Sequence, residues 1–87
     1  MQFTEPRRYA DPAVAARRLL EIAHAVEPGQ EGRIFIEKIN YPMLYKDGAT
    51  PGEYWAGLQF AIEQGWLSYH ESGTFVTFTP AGADLFA

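Results

Sequence analysis

Ala61-Ile62-Glu63-Gln64-Gly65-Trp66-Leu67 and, five residues later, Gly73-Thr74-Phe75-Val76-Thr77-Phe78-Thr79-Pro80-Ala81-Gly82 decide the fold of this chain. Gly65 stands where a helix closes on a left-handed residue. Trp66 to His70 and Phe75 to Thr79 are short runs rich in aromatic and β-branched side chains, parted by Glu71-Ser72-Gly73-Thr74, so they read as a hairpin with Ser72-Gly73 as its two loop residues. That pairing sets Tyr69 opposite Val76 and Leu67 opposite Phe78, with all four on one face. Trp66, Ser68, His70, Phe75, Thr77 and Thr79 fall on the other. A slip of one residue would scatter the apolar set over both faces, so the register is specified.

Working outward, Asp11-Pro12, Thr50-Pro51 and Thr79-Pro80 each pair a capping side-chain oxygen with a proline at the first helical position. Thr50-Pro51-Gly52-Glu53 adds the Thr-x-x-Glu spacing of a capping box. Three helices follow: about Pro12 to Glu27, about Pro51 to Gln64, and a short one from Ala81 to Phe86 that tucks Leu85 or Phe86 against the core. In the first, Ala15, Leu19, Ile22, Ala23 and Val26 recur at three- and four-residue spacing and form a buried stripe. Arg17, Glu21 and His24 face away. In the second, about 100° per residue puts Tyr54, Trp55, Leu58, Ala61 and Ile62 on one face and Glu53, Ala56, Gln59, Phe60, Glu63 and Gln64 on the other. Ile34-Phe35-Ile36 predicts a strand over 33–37, leading into an irregular or short helical piece over 39–46 that Pro42 can open but not occupy internally. Residues 1–10 are expected to be an arm without regular structure, and 11–87 one domain.

Helix, short strand, short helical turn, capped helix, Gly-Trp-Leu and β-hairpin resemble the winged helix-turn-helix family. Many members carry a helix ending in Gly, an aromatic-Leu strand, a wing, and a second strand closing with Leu/Phe-Thr-x-x-Gly; the likeness covers about residues 11–86. It implies an α+β winged helix: three helices with a small antiparallel sheet and hairpin wing, plus a short C-terminal helix. It also implies duplex DNA binding, often as a dimer. Glu53, Ala56, Gln59, Phe60, Glu63 and Gln64 would then face bases, and Glu71-Ser72-Gly73 would be the wing tip.

Charge argues against that use. The net charge is −4, and every lysine and arginine lies at or before Lys46. From Asp47 onward there are five carboxylates and no basic side chain. Duplex binding needs cations on phosphates, and guanine readout favours Arg or Lys. The face meant to read bases offers two carboxylates, a phenyl ring and two amides. Phe60, in the middle of that polar face, is either ordinary core beneath the arm or first helix, or an aromatic anchor with a polar rim, as at protein–protein hot spots. Trp66 and Phe75 on the second face of the hairpin would enlarge such a patch. The expected activity is therefore a non-enzymatic binding module that joins a protein partner or itself. The interaction candidates are Phe60, Glu53, Ala56, Gln59, Glu63, Gln64, Trp66 and Phe75. The alternative is a transcriptional-regulator-like domain that contacts duplex DNA through the winged helix-turn-helix or through the arm and first helix, where Arg7, Arg8, Arg17 and Arg18 are the one basic concentration.

Other classes find little support. The chain has no cysteine, so thiolate metal sites and thiol chemistry are excluded. His24 and His70 are distant in the reading, Ser72 sits in a turn, and Gly48, Gly52 and Gly57 precede no Gly-Lys-Ser/Thr. No cofactor, metal or membrane segment is expected, and cytoplasm is the expected compartment. Content of 47% hydrophobic and 15% aromatic residues is too high for a disordered chain, and 87 residues suit a single core.

Overall fold

Each of the three proline-led helices begins on its side-chain cap. Asp11 Oδ1 accepts from Ala13 N–H at 2.9 Å and Thr79 Oγ1 from Gly82 N–H at 3.0 Å. The Thr50 capping box is reciprocal: Thr50 Oγ1 accepts from Glu53 N–H (3.1 Å), and Glu53 Oε1 accepts from Thr50 N–H (2.9 Å). The computed structural model describes residues 8–26, 29 and 32–87. In chain order these form α1 (Pro12–Ala25), β1 (Ile34–Phe35), α2 (Ile36–Tyr41), α3 (Pro51–Glu63), β2 (Leu67–Tyr69), β3 (Phe75–Phe78) and α4 (Pro80–Asp84). The described residues thus make an α+β fold of four helices and one three-stranded antiparallel sheet, ordered β1-β3-β2.

The hairpin register is the expected one, with Leu67 opposite Phe78 and Tyr69 opposite Val76. Its loop is longer than Ser72-Gly73. The strands stop at Tyr69 and Phe75, His70 N–H still reaches Phe75 O, and Gly73, at φ 76°, donates to His70 O at 2.9 Å. Lengthening both sides of the loop equally leaves the register unchanged. β1 is shorter than the expected 33–37: it pairs Ile34 with Val76 and Phe35 with Phe75. Ile36 already opens α2, its N–H taken by Thr74 O at 2.9 Å, so the ladder ends there. The helical path continues through a wide five-residue turn, Pro42–Lys46, in which Asp47 N–H reaches back to Pro42 O. Pro42 marks the seam, because its ring removes the amide that an unbroken α-helix would use.

α1 and α3 cross where neither carries bulk. A Cβ built on Gly57 would lie 2.8 Å from Ala15 Cβ, so the backbones meet at Ala15 and Gly57. This displaces the buried face of α3 from the expected one. Tyr54, Gly57, Leu58 and Ala61 are buried, Ile62 is half-buried, and Trp55 is 49% exposed, its ring edge-on to Tyr69. The core is filled by Leu19, Leu20, Ile39, Met43, Leu58, Leu67 and Val76. Tyr9 joins it at 6% exposure from a 3-10 turn, Arg8–Ala10, so the end of the expected arm belongs to the packed fold. α1 ends at Ala25 rather than near Glu27, which lies outside the described residues.

One junction ties the last third together. α3 closes with Gly65 at φ 79°, Gly65 N–H on Ile62 O and Trp66 N–H on Ala61 O, the paired bonds of a Schellman motif. Thr79 Oγ1 donates to Gly65 O, and Thr79 N–H to Trp66 O. Gly82 packs so closely on that carbonyl that a Cβ would lie 2.0 Å from Trp66 O. α4 is thereby fixed beside the end of α3.

Candidate functional site

Phe60 leaves α3 on the border between its outward side and α1, and it is half-buried against the core. Trp66, directly after the Schellman turn, brings its indole to 6.0 Å from the Phe60 ring at an interplanar angle of 53°. Leu20 of α1 joins them, and Leu85 and Phe86, which follow α4, complete the lining. These side chains line a groove of about 600 Å³, with Arg17 and Glu21 of α1 on its rim. Leu85 stands 49% exposed at the edge, whereas Phe86 turns in and stacks on His24 at 4.2 Å between ring centroids. Of the two residues expected to tuck in, Phe86 is the one that does. The groove is concave and mostly apolar, the composition of a surface that takes apolar side chains from a partner.

The expected aromatic patch divides in two. Phe75 is not beside Phe60 and Trp66: it lies on the outer face of the sheet, paired with Phe35, because strand alternation sends it away from the core. There His70 stacks on it at 4.3 Å and the Arg33 guanidinium lies 4.9 Å from its ring centroid. Glu53 is engaged in the capping box. Ala56 and Gln59 are half-buried, and Glu63 and Gln64 are exposed near the end of α3. Of the candidates on α3, Phe60 alone lines the groove.

The basic candidates within the described residues stand in different surroundings. Arg7 lies outside the described residues. Arg18 Nε donates to Asp47 Oδ2 at 2.5 Å and Arg18 Nη1 to Glu21 Oε1 at 3.3 Å. The hydrogen bond to Asp47 holds the guanidinium above its usual pKa against the opposing effect of desolvation, with further help from Glu21. This pair tethers α1 to the turn before α3. Arg17 is 79% exposed, with Glu21 Oε2 3.9 Å from its Nε, beyond hydrogen-bond distance. Arg8 is exposed and lies over the ring of Tyr9.

His24 and His70 sit in separate places, on α1 against Phe86 and at the hairpin against Phe75. His70 Nδ1 accepts from Ser72 N–H at 3.1 Å and lies 2.8 Å from Ser72 Oγ, which in turn contacts Thr74 Oγ1 at 2.8 Å. These exposed contacts shape the turn. Tyr54 is a strongly perturbed titratable group: burial, reinforced by Tyr69, pushes its phenol up to about 12. Its hydroxyl is buried without a hydrogen-bond partner among those residues. Among the described residues no three His, Asp or Glu side chains gather as a metal set, and no helix is long and apolar enough to cross a membrane.

Leu20, Leu85 and Phe86 were not singled out as parts of a site. The sequence carries their hydrophobicity, but only the fold brings them to Phe60 and Trp66. Comparison with known proteins returned no match to any protein-family model, curated protein or solved structure.

Proposed function

We propose that this chain is a non-enzymatic, winged-helix-like binding module that associates with protein rather than reading duplex DNA. The fold part of the proposal is supported by the order α1-β1-α2-α3-β2-β3 and by β3 lying between β1 and β2, which match the expected helix, strand, turn, capped helix and wing. The observation that carries the functional part is the groove of about 600 Å³ built on Phe60 and Trp66. A monomer gains nothing by leaving such a surface in water, and aromatic anchors in a recess with a polar rim are where binding energy concentrates. Charge supports the same reading. α3 and the hairpin have no basic side chain, and Arg18 is held by Asp47 and Glu21.

The test uses a photo-crosslinking amino acid at Leu85, on the groove rim, and at Ser68, on the outer sheet face. Protein adducts at position 85 that disappear with Phe60→Ser, together with no retention on duplex DNA at low salt, are the expected result. Retention on duplex DNA that falls steeply with salt, with no adduct at position 85, would overturn it.

A further inference from the structure

We propose that the groove and the outward face of α1 form the interface of a two-fold homodimer, so that the groove's occupant is a second copy of this chain. This rests on the protein-association reading above and goes further by naming the partner and the pairing.

The outward face of α1 is self-complementary. Ala13, Arg17, Glu21 and Ala25 are all exposed, four residues apart along one helix. Their spacing is symmetric about the midpoint between Arg17 and Glu21. Two copies of α1 laid antiparallel across an axis at that midpoint place Arg17 of each against Glu21 of the other, forming two ion pairs. The same axis sets Ala13 against Ala25, and small side chains there let the helices approach closely. Parallel pairing would instead oppose like charges, so the charge order selects the antiparallel, isologous arrangement. Both groups have capacity for it. Within one chain Arg17 Nε and Glu21 Oε2 are 3.9 Å apart, too far for a hydrogen bond, and Arg18 takes the other oxygen of Glu21.

The apolar parts follow the same symmetry. Phe86 stacks on His24, which places the end of α4 and the exposed Leu85 that follows it at the C-terminal end of α1. Ala13, at the opposite end of α1, lines the same groove. An antiparallel pair therefore directs Leu85 of each copy toward the Ala13 end of the other's groove, a projecting side chain meeting a recess in both directions. The contact also suits two chains that each carry −4. The Arg17–Glu21 face is neutral, whereas α3 and the hairpin carry carboxylates and no basic side chain.

The experiment is light scattering or sedimentation equilibrium on the whole chain, with circular dichroism confirming that every variant is folded. The wild type is expected at twice 9.8 kDa. Arg17→Glu and Glu21→Arg each place like charges in both pairs and should weaken the dimer by about thirtyfold or more. Mixed one to one, the two variants regain opposite charges at both contacts and should restore the dimer mass, as should the double variant R17E/E21R by itself. A wild type that stays monomeric at the highest soluble concentration overturns the proposal, as do folded single variants that dimerise normally or a mixture that stays monomeric. A crosslink from position 85 to a different protein, with this chain monomeric, would retain the protein-association reading and discard the homodimer.

Discussion

Gly57→Ala tests the contact on which the helix pair depends. The added methyl would lie 2.8 Å from Ala15 Cβ and 3.0 Å from both Ala15 C and Ala16 N. Non-bonded carbons settle at about 3.5–4.0 Å, so α1 and α3 must separate by roughly 0.7–1 Å at their crossing. Overpacking of this kind costs about 1–3 kcal/mol. Alanine's better helix propensity returns about 1 kcal/mol, leaving a net loss of up to about 2 kcal/mol. In a domain of 87 residues that lowers the melting temperature by up to about 15 °C. Gly52→Ala is the internal control, because a Cβ there meets nothing within 4 Å. It should leave stability unchanged or raise it by up to about 1 kcal/mol. Thermal and urea unfolding of both variants, followed by circular dichroism, reads the difference directly. If Gly57→Ala melts above the wild-type temperature, the close approach of α1 and α3 is wrong.

Two other substitutions probe parts of the fold with different readouts. Gly82→Ala cannot keep α4 in place, since its Cβ would overlap the Trp66 carbonyl; it should release the stacking of Phe86 on His24, seen as altered ring shifts of His24 by NMR, and weaken association through the groove. Tyr54 predicts an alkaline limit. Its phenol is raised to about 12 in the fold against about 10 when unfolded, so below pH ~10 its contribution to stability is intact. Between pH ~10 and ~12 the unfolded chain ionises and the folded one does not, costing up to about 1.4 kcal/mol per pH unit. Tyr54→Phe removes a buried hydroxyl without a partner among the described residues. It should therefore raise stability at neutral pH by up to about 1 kcal/mol and remove this part of the alkaline loss, as measured by urea unfolding at several pH values.

The local chemistry was legible in the sequence and the long-range meetings were not. Thr50, Glu53 and Gly65 mark both ends of α3 because capping and left-handed closure depend on residues adjacent in the chain. The hairpin register was legible because alternation is also local. Gly57 was not, since a hydrophobic pattern gives no weight to a residue without a side chain; the helix that approaches there shifts the buried stripe and leaves Trp55 exposed. Tyr9, within a segment expected to be irregular, gave no periodic signal. At the site, Phe60 was marked by standing alone on a polar face, and Trp66 followed the helix stop. Their meeting with Leu20, Leu85 and Phe86, the separation of Phe75, and the Arg18–Asp47 bridge all depend on tertiary placement. No spacing rule encodes these.

The walls of the groove come from stretches of chain far apart, at Leu20, at Phe60 and Trp66, and at Phe86. A growing polypeptide on the ribosome lacks the wall at Leu85 and Phe86 until those residues have been added and α4 has docked. The whole recess is therefore offered only by molecules whose synthesis has reached that point.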